Sequence, residues 1–391
     1  MEVMDYNFDE IVPRRGSNSY KWDSAEDRDV LPMWVADMDF QVAPCIREAL
    51  QHRVEHGIFG YTRVPDAYYE AVVGWFARRH KWTIDRGWMI YTSGVVPALS
   101  AVIKALTVPG NKVVVQTPVY NCFFSSIRNN GCEIVSNPLI YENRTYRMDY
   151  GDLERKMADP SVKVLLLCNP HNPAGRVWTR EELERLGNIC LKHGVWLVSD
   201  EIHCELVMPG HEYVPVGTLS EELARRSVVC ISPSKSFNMA GLQIANIVAP
   251  DEEVHRKIDK AININEVCDV NPFGVIATVA AYNEGGEWLS QLLDYLWGNY
   301  VYMRDYCREY LPGFPLAVLE GTYLAWMDCR VLGLSSEALE ERLLRDAKLW
   351  LNAGTMYGDE GEGFMRWNLA CPRALLQEGL SRFRSCVLHG K

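Results

Sequence analysis

The chain has 391 residues, 48% hydrophobic, 23% charged and 11% aromatic. That is a globular composition with enough apolar residues for a large core and a length of about two to three domains. Forty basic against 51 acidic residues give a net charge of −11, which argues against a general nucleic-acid or polyanion binder, and no apolar run approaches the ~18 residues of a membrane span.

In chain order, Pro44–His56 reads as a helix, and Gly60-Tyr61-Thr62 as a loop before another helix beginning near Pro65. Ser93-Gly94-Val95-Val96-Pro97 looks like a helix N-terminus ahead of the helical run Ala98–Leu106. Val113–Gln116 follows the turn Pro109-Gly110-Asn111 and reads as a buried strand, as does Val162–Cys168 before Asn169-Pro170. Thr179-Arg-Glu-Glu182 has the spacing of a capping box, and the following stretch to His193 carries Leu183, Leu186, Ile189 and Cys190 at helical spacing. Gly194 ends that helix, Val195–Ser199 is the next strand, and Ser220-Glu-Glu222 opens a helix before the strand Ser227–Ile231. This alternation predicts an α/β fold with a parallel sheet covered on both faces.

The C-terminal part differs. Glu287–Tyr310 reads as one long amphipathic helix, followed by a strand at Thr322–Met327, a helix at Ser335–Ala347 and a last helix after Pro372. A smaller α+β domain is expected there, formed by residues 1–50 and 286–391, with the large domain spanning 51–285. The later boundary rests on Asn283-Glu-Gly-Gly286.

Twelve cysteines stand at least ten positions apart, with no Cys-x-x-Cys and no zinc-type ligand cluster beyond the adjacent His203-Cys204. They are expected to be reduced and mostly buried, as small hydrophobes. The acidic start Met1–Glu10 lacks a basic-then-apolar leader, so a cytoplasmic location is expected, with no metal, no nucleic acid and no membrane.

Three polar clusters follow predicted strands: Asn169-Pro-His-Asn172-Pro-Ala-Gly175, Ser199-Asp200-Glu201-Ile202-His203 and Ser232-Pro-Ser234-Lys235. In an open parallel sheet, ligands bind beyond the carboxyl ends of the strands, so the three clusters point to one shared site. A strand-end lysine such as Lys235 can act as a nucleophile once desolvated, although a lysine seen there alone is more often an exposed loop lysine. Asp200 closes an apolar strand and needs a partner for a half-buried carboxylate, either a ligand or a structural ion pair. The helix start at Gly94 and Val95 suits a phosphate.

In combination these residues carry a resemblance. Ser93-Gly94-Val95, Tyr120, Asn172-Pro-Ala-Gly175, Asp200-Glu-Ile-His203, Ser232-Pro-Ser-Lys235 and Arg366-Trp-Asn368 occur in the order found in pyridoxal-phosphate (PLP) enzymes of fold type I, the aspartate-aminotransferase superfamily. No Gly-x-Gly-x-x-Gly follows a strand, so a nicotinamide enzyme is not indicated. Leu31-Pro-Met-Trp-Val-Ala-Asp-Met-Asp-Phe40, Asn169–Arg176 and Lys235-Ser-Phe-Asn-Met-Ala-Gly-Leu-Gln243 resemble bacterial cystathionine β-lyases and C–S lyases, the group that includes the maltose-regulon modulator.

The resemblance implies a large PLP-binding domain with a mostly parallel seven-stranded sheet, plus the smaller α+β domain. Lys235 would bind the cofactor covalently and act as the proton-transfer base, and Asp200 would sit against the pyridine nitrogen. Asn172 would bond the ring 3′-oxygen and help place the substrate, and Tyr120 would stack on the ring. Ser93, Gly94, Val95, Ser232 and Ser234 would hold the phosphate. Arg366 would pair bidentately with the substrate α-carboxylate. Tyr61 would cross a homodimer interface to the partner's phosphate, and Tyr120, Tyr61 or Lys235 would serve proton transfer to the leaving group. Two positions depart from common aminotransferase patterns: His203 stands where tyrosine is usual beside the ring oxygen, and Gln243 where arginine usually meets the phosphate.

The implied reaction is α,β-elimination from L-cystathionine or a related cysteine S-conjugate to a thiol, pyruvate and ammonia. An aminotransferase is the alternative enzyme, and a regulatory protein of the same fold the alternative class.

Overall fold

The computed structural model describes residues 5–264 and 270–389; the first four residues and Cys268, which figure in the expectations above, lie outside them. Seven strands make the central sheet. Across it they run Met89–Thr92, Ala245–Val248, Ser227–Ile231, Trp196–Asp200, Val162–Cys168, Lys112–Val115 and Glu133–Ser136. Six strands are parallel, and Ala245–Val248 runs antiparallel to both neighbours.

Both faces of this sheet are dry. Val113, Val115, Val164, Leu166, Val198 and Val228 pack with the helices Val95–Leu106, Cys122–Asn129 and Glu252–Asn263. Their neighbours Val114, Leu165, Leu167, Leu197 and Val229 join the larger core on the opposite face. Alternate residues of each strand therefore serve two helical layers, which is why the strands read as continuous apolar runs. In Val162–Cys168 only Lys163 is exposed, and each buried Val or Leu contributes about 1.5–3 kcal/mol.

The local signals act as their chemistry requires. Thr179 and Glu182 form the reciprocal capping box of Arg180–His193, and Gly194 ends that helix at φ 67°. Ser220 accepts from Leu223 N at the start of Glu221–Arg225. Val162–Cys168 and Ser227–Ile231 fall where the sequence places them, and the long helix spans Gly286–Tyr310.

Beyond the long helix, Leu324–Asp328, Phe364–Asn368 and Asn352–Ala353 form an antiparallel sheet, covered by the helices Ser336–Ala347 and Arg373–His389. Leu31–Pro32 pairs in parallel with Leu349–Trp350, tying the N-terminal segment to this unit. Pro44–His56 packs on the helix Pro272–Glu284, so a division after residue 50 falls inside one helix, while residue 285 separates two.

Strands Met89–Thr92, Glu133–Ser136 and Ala245–Val248 are not among the elements read from sequence. In the last of these, Asn246 interrupts a short apolar run, yet it is buried, and its Oδ1 accepts from the Tyr68 hydroxyl at 3.0 Å. Tyr68→Phe removes that donor and leaves a buried acceptor unpaired. Urea unfolding is expected to show a loss of about 1–3 kcal/mol with an unchanged slope; an unchanged midpoint would mean the bond contributes nothing.

Candidate active site

Parallel register brings the three polar clusters to one edge. Cys168 pairs with Asp200, and Asp200 with Cys230, so the segments that follow these strands leave the sheet side by side. There they wall a cavity of about 460 Å³. Of the residues singled out above, Ser93, Gly94, Val95, Tyr120, Asn172, Asp200, His203, Ser234, Lys235 and Arg366 line it, together with Gln243.

Ser232 and Tyr61 do not line this cavity. The Ser232 hydroxyl donates to Ile244 O at 2.6 Å, is also bonded to Ser234 Oγ, and accepts from Ser234 N. It braces the turn that carries Ser234 and Lys235. Tyr61 is 96% exposed, in a segment without regular structure beside the exposed Ile58 and Phe59.

Asp200 is buried, and the one hydrogen bond to its carboxylate among the described residues comes from Ile202 N at 3.1 Å. Burial pushes its carboxyl up to about 7; the Ile202 amide and the nearby Lys235 pull against that rise, and Glu201 adds to it. Glu201 points away from the cavity and is satisfied by Ser199, Tyr213, Asn169 and the Val216 amide, a structural carboxylate that anchors the loop after the strand.

Lys235 donates to Ala36 O at 2.5 Å, and Tyr323 donates to the same oxygen at 2.9 Å. Burial and the positive charge of Arg366 bring the Lys235 amine down to about 8, against the opposing pull of Asp37 and Asp200. A useful fraction is therefore neutral near physiological pH, as a nucleophile or base requires. His203 is held neutral, its pKa lowered to about 3 by burial and by Lys235 and Arg366, and its Nδ1 is buried with no partner among the described residues. Burial and Cys122 raise the Tyr120 hydroxyl well above its ordinary value, so it too is neutral.

Arg366 comes from the strand Phe364–Asn368 of the other unit. Its Nη1 donates to Asn172 Oδ1 at 3.2 Å and its Nη2 to Trp34 O at 2.7 Å, with Tyr357 stacked against the guanidinium 4.9 Å from its ring centre. The buried Nε has no partner among the described residues. The site thus joins both units, with residues 34–36 passing between them. Sequence reasoning gave no role to Tyr20, Trp34, Cys122, Asn352, Met356 or Tyr357, which also line the cavity. Trp34 lies inside a motif that carries the resemblance, but Met356 and Tyr357 have no local signal.

This donor set fits pyridoxal phosphate. A buried carboxylate with a single partner among the described residues suits a protonated ring nitrogen, and His203, whose buried Nδ1 has no partner among them, lines the same cavity. The helix Val95–Leu106 starts at Gly94 with no side chain capping its first amides, which leaves them free for a phosphate near Ser93 and Ser234.

An enzyme of the PLP-dependent transferase and lyase class is what this fold and site define. Residues 28–383 match the family described as aminotransferase class I and II, and the chain belongs to that family. Over 385 residues it is 44% identical to cystathionine beta-lyase PatB of Bacillus subtilis (strain 168), covering 97% of this chain and all of the relative. The structure of cystalysin from Treponema denticola, which contains pyridoxal 5′-phosphate, superposes with a TM-score of 0.96 at 34% identity over 99% of this chain and 100% of that one. The PLP-bound C–S lyase from Staphylococcus hominis does so with a TM-score of 0.92 at 31% identity, covering 99% of each chain.

The raised Asp200 carboxyl has a consequence for the cofactor-free protein. Ionisation of a buried group with a pKa of about 7, against about 3.9 in the unfolded chain, costs stability increasingly as pH rises between those values. Asp200→Asn removes the cost. Thermal unfolding without cofactor is expected to give the variant a higher midpoint than wild type at about pH 8, converging at about pH 4, while its affinity for pyridoxal phosphate falls. A midpoint difference independent of pH would contradict this.

Proposed function

We propose that the protein is a PLP-dependent carbon–sulfur β-lyase acting on L-cystathionine or related cysteine S-conjugates. The reaction is RS–CH2–CH(NH3⁺)–COO⁻ + H2O → RSH + CH3COCOO⁻ + NH4⁺. The observation that carries the reading is the meeting of Lys235, Asp200, Asn172 and Arg366 at one cavity, in a chain similar along its length to a cystathionine beta-lyase.

Bound pyridoxal phosphate supplies an electron sink for a carbanion at the substrate α-carbon. Asp200 would keep the ring nitrogen protonated, and Asn172 would donate to the ring 3′-oxygen. Tyr120 would lie against the ring, while the amides of Gly94 and Val95 with Ser93 and Ser234 would hold the phosphate, and Ser232 supports Ser234. Arg366 binds the α-carboxylate through two parallel hydrogen bonds. Lys235, in the fraction that is neutral near physiological pH, removes the α-proton; Lys235 or Tyr120 returns one to the departing sulfur. The protein works in the cytoplasm, a reading supported by cysteines that are all unpaired among the described residues and by the absence there of a helix fit to cross a membrane.

Pyruvate release from L-cystathionine by purified protein, with no keto acid added, tests the activity. Product that requires added keto acid means an aminotransferase, and no product under either condition favours a regulatory protein.

Lys235→Ala is expected to abolish turnover and the borohydride-stable cofactor adduct; an adduct on another lysine would overturn the assignment. Arg366→Lys should retain the adduct but lose the bidentate pair, lowering kcat/KM roughly tenfold to a hundredfold, as expected for a charge-assisted contact of ~1.5–3 kcal/mol. An unchanged kcat/KM would place Arg366 away from the substrate.

The active unit is a homodimer with shared sites. The exposed apolar loop of Ile58, Phe59 and Tyr61 supports a subunit contact there, with Tyr61 reaching the neighbouring phosphate. Heterodimers of Tyr61→Phe with Lys235→Ala then contain one doubly altered site and one intact site. Activity should recover toward half that of a wild-type dimer. If Tyr61→Phe is severely impaired and verified heterodimers recover nothing, Tyr61 serves its own chain.

A further inference from the structure

Cys204 and Glu205 follow directly on His203 but face another space. His203 lines the cofactor cavity, whereas Cys204 and Glu205 line a separate cavity of about 420 Å³ with Arg79, His80, His211 and Asp294. The sequence offers Cys204 only the adjacent His203 as a co-ligand. The fold instead sets it beside His80, the last residue of the helix Asp66–His80. Among the described residues, His80, Cys204 and Glu205 form a group in which a ring nitrogen, the thiol sulfur and a carboxylate oxygen all lie within 4.8 Å of one another.

Each of these groups is held in place. Glu205 Oε2 accepts from Arg79 Nε at 2.9 Å, and Oε1 accepts from Trp75 Nε1 at 2.6 Å. The same Oε1 is hydrogen-bonded to His80 Nε2 at 2.6 Å, and Cys204 Sγ stands 4.0 Å from it. Cys204 is buried and forms no disulfide. The His80 ring meets Tyr213 edge-on at 4.9 Å and tilts against Phe76 at 5.4 Å. Imidazole and thiol thus converge on one carboxylate oxygen. Arg79 holds the other oxygen from behind, as outer contacts orient the ligands of a metal.

Ligands of one tetrahedral zinc lie at about 2.0–2.3 Å from it, and therefore about 3.3–3.6 Å from one another. Shifts of about an ångström bring the three atoms to that spacing, and the cavity leaves the fourth position to water. One thiolate, one imidazole and one carboxylate suit zinc, and not the all-oxygen shells of magnesium or calcium. On binding, the Cys204 thiol releases its proton to solvent, and the hydrogen now between His80 and Glu205 leaves the coordinating nitrogen. Thiolate and carboxylate together offset both charges of the cation, so the Arg79 guanidinium faces a neutral centre.

We propose that His80, Cys204 and Glu205 form a binding site for one thiophilic divalent cation, zinc by the choice of donors, behind the segment that carries Asp200 and His203 into the cofactor cavity. All three ligands come from one chain, so the site needs no second copy, and it stands independently of the lyase reading. It departs from the expectation, drawn from the sequence, that the protein holds no metal.

The test starts from reduced holoenzyme stripped of metal with a chelator. Zinc is titrated in by calorimetry. Cobalt is added in parallel, because its tetrahedral thiolate complexes absorb in the visible, well to the red of the cofactor. One zinc and one cobalt per chain are expected, the cobalt with that absorption. Cys204→Ala should lose both. His80→Gln should weaken zinc binding about tenfold or more, since even contacts behind the ligands are worth that much. Cys122→Ala, which removes the half-buried thiol of the cofactor cavity, should bind as wild type does.

No stoichiometric uptake, cobalt absorption without the thiolate signature, or undiminished uptake by Cys204→Ala overturns the proposal. Loss of uptake in Cys122→Ala assigns the metal to the cofactor cavity and overturns it as well. If Cys204→Ala does not fold, His80→Gln decides: a fall in zinc affinity of about tenfold or more upholds the site, and a smaller change overturns it.

Discussion

Everything at the site depends on six parallel strands ending at the same edge of a sheet whose faces are both covered. Helices take up the two faces, so a side chain can leave the apolar core only at a strand end. Cys168, Asp200 and Cys230 lie in adjacent register, and the polar segments after them are forced into one another's company. Asp200 is the sharpest result of this constraint. It stands on the last residue of its strand, deep enough for burial to lift its carboxyl to about 7, and faces a cavity where a cationic ring nitrogen would restore the balance.

The second unit completes the site through backbone rather than through another set of strand ends. Residues 34–39 pass between the two units. Asn368 Nδ2 holds Val35 O and Asp37 O, Arg366 holds Trp34 O, and Lys235 and Tyr323 converge on Ala36 O. Behind them the Asp39 carboxylate accepts from Arg14, Lys21 and Trp22, and Arg14 also grips Asp37 through two oxygens' worth of contacts. Lys21 is only 1% exposed. Such a buried cluster adds little net stability compared with an apolar one of the same shape, but removing one member strands the others, so it fixes this passage in a single arrangement. The aromatic wall of the cavity inherits that rigidity through Trp34.

Much of this was legible in the sequence, and the reasons are local. The continuous apolar run Val162–Cys168, the capping box at Thr179, the glycine at 194 and the helix start after Pro372 each encode a structure within a few residues, and each occurs where its chemistry predicts. The clusters at Asn172, Asp200 and Lys235 were readable because strand ends in such a sheet are ligand edges, and order along the chain then identified Arg366. By contrast, Ala245–Val248 could not be read, because its buried asparagine is tolerable only where Tyr68, far away in sequence, supplies a donor. The packing of the helix Pro44–His56 on Pro272–Glu284 was equally beyond local reading, because the two segments lie far apart in sequence.

The sequence by itself determined the class of fold and the polar groups that meet at the sheet edge, since these depend on periodicity, caps and short motifs, and it gave the cofactor chemistry through the family resemblance that those motifs carry. The tertiary structure alone decided that Ser232 braces a turn instead of facing the cavity, that Lys235 meets Ala36 O, and that Tyr20, Trp34, Met356 and Tyr357 form one wall. Those four residues are scattered from position 20 to position 357. No local pattern couples them, because the free energy that brings them together belongs to the packing of one unit on the other.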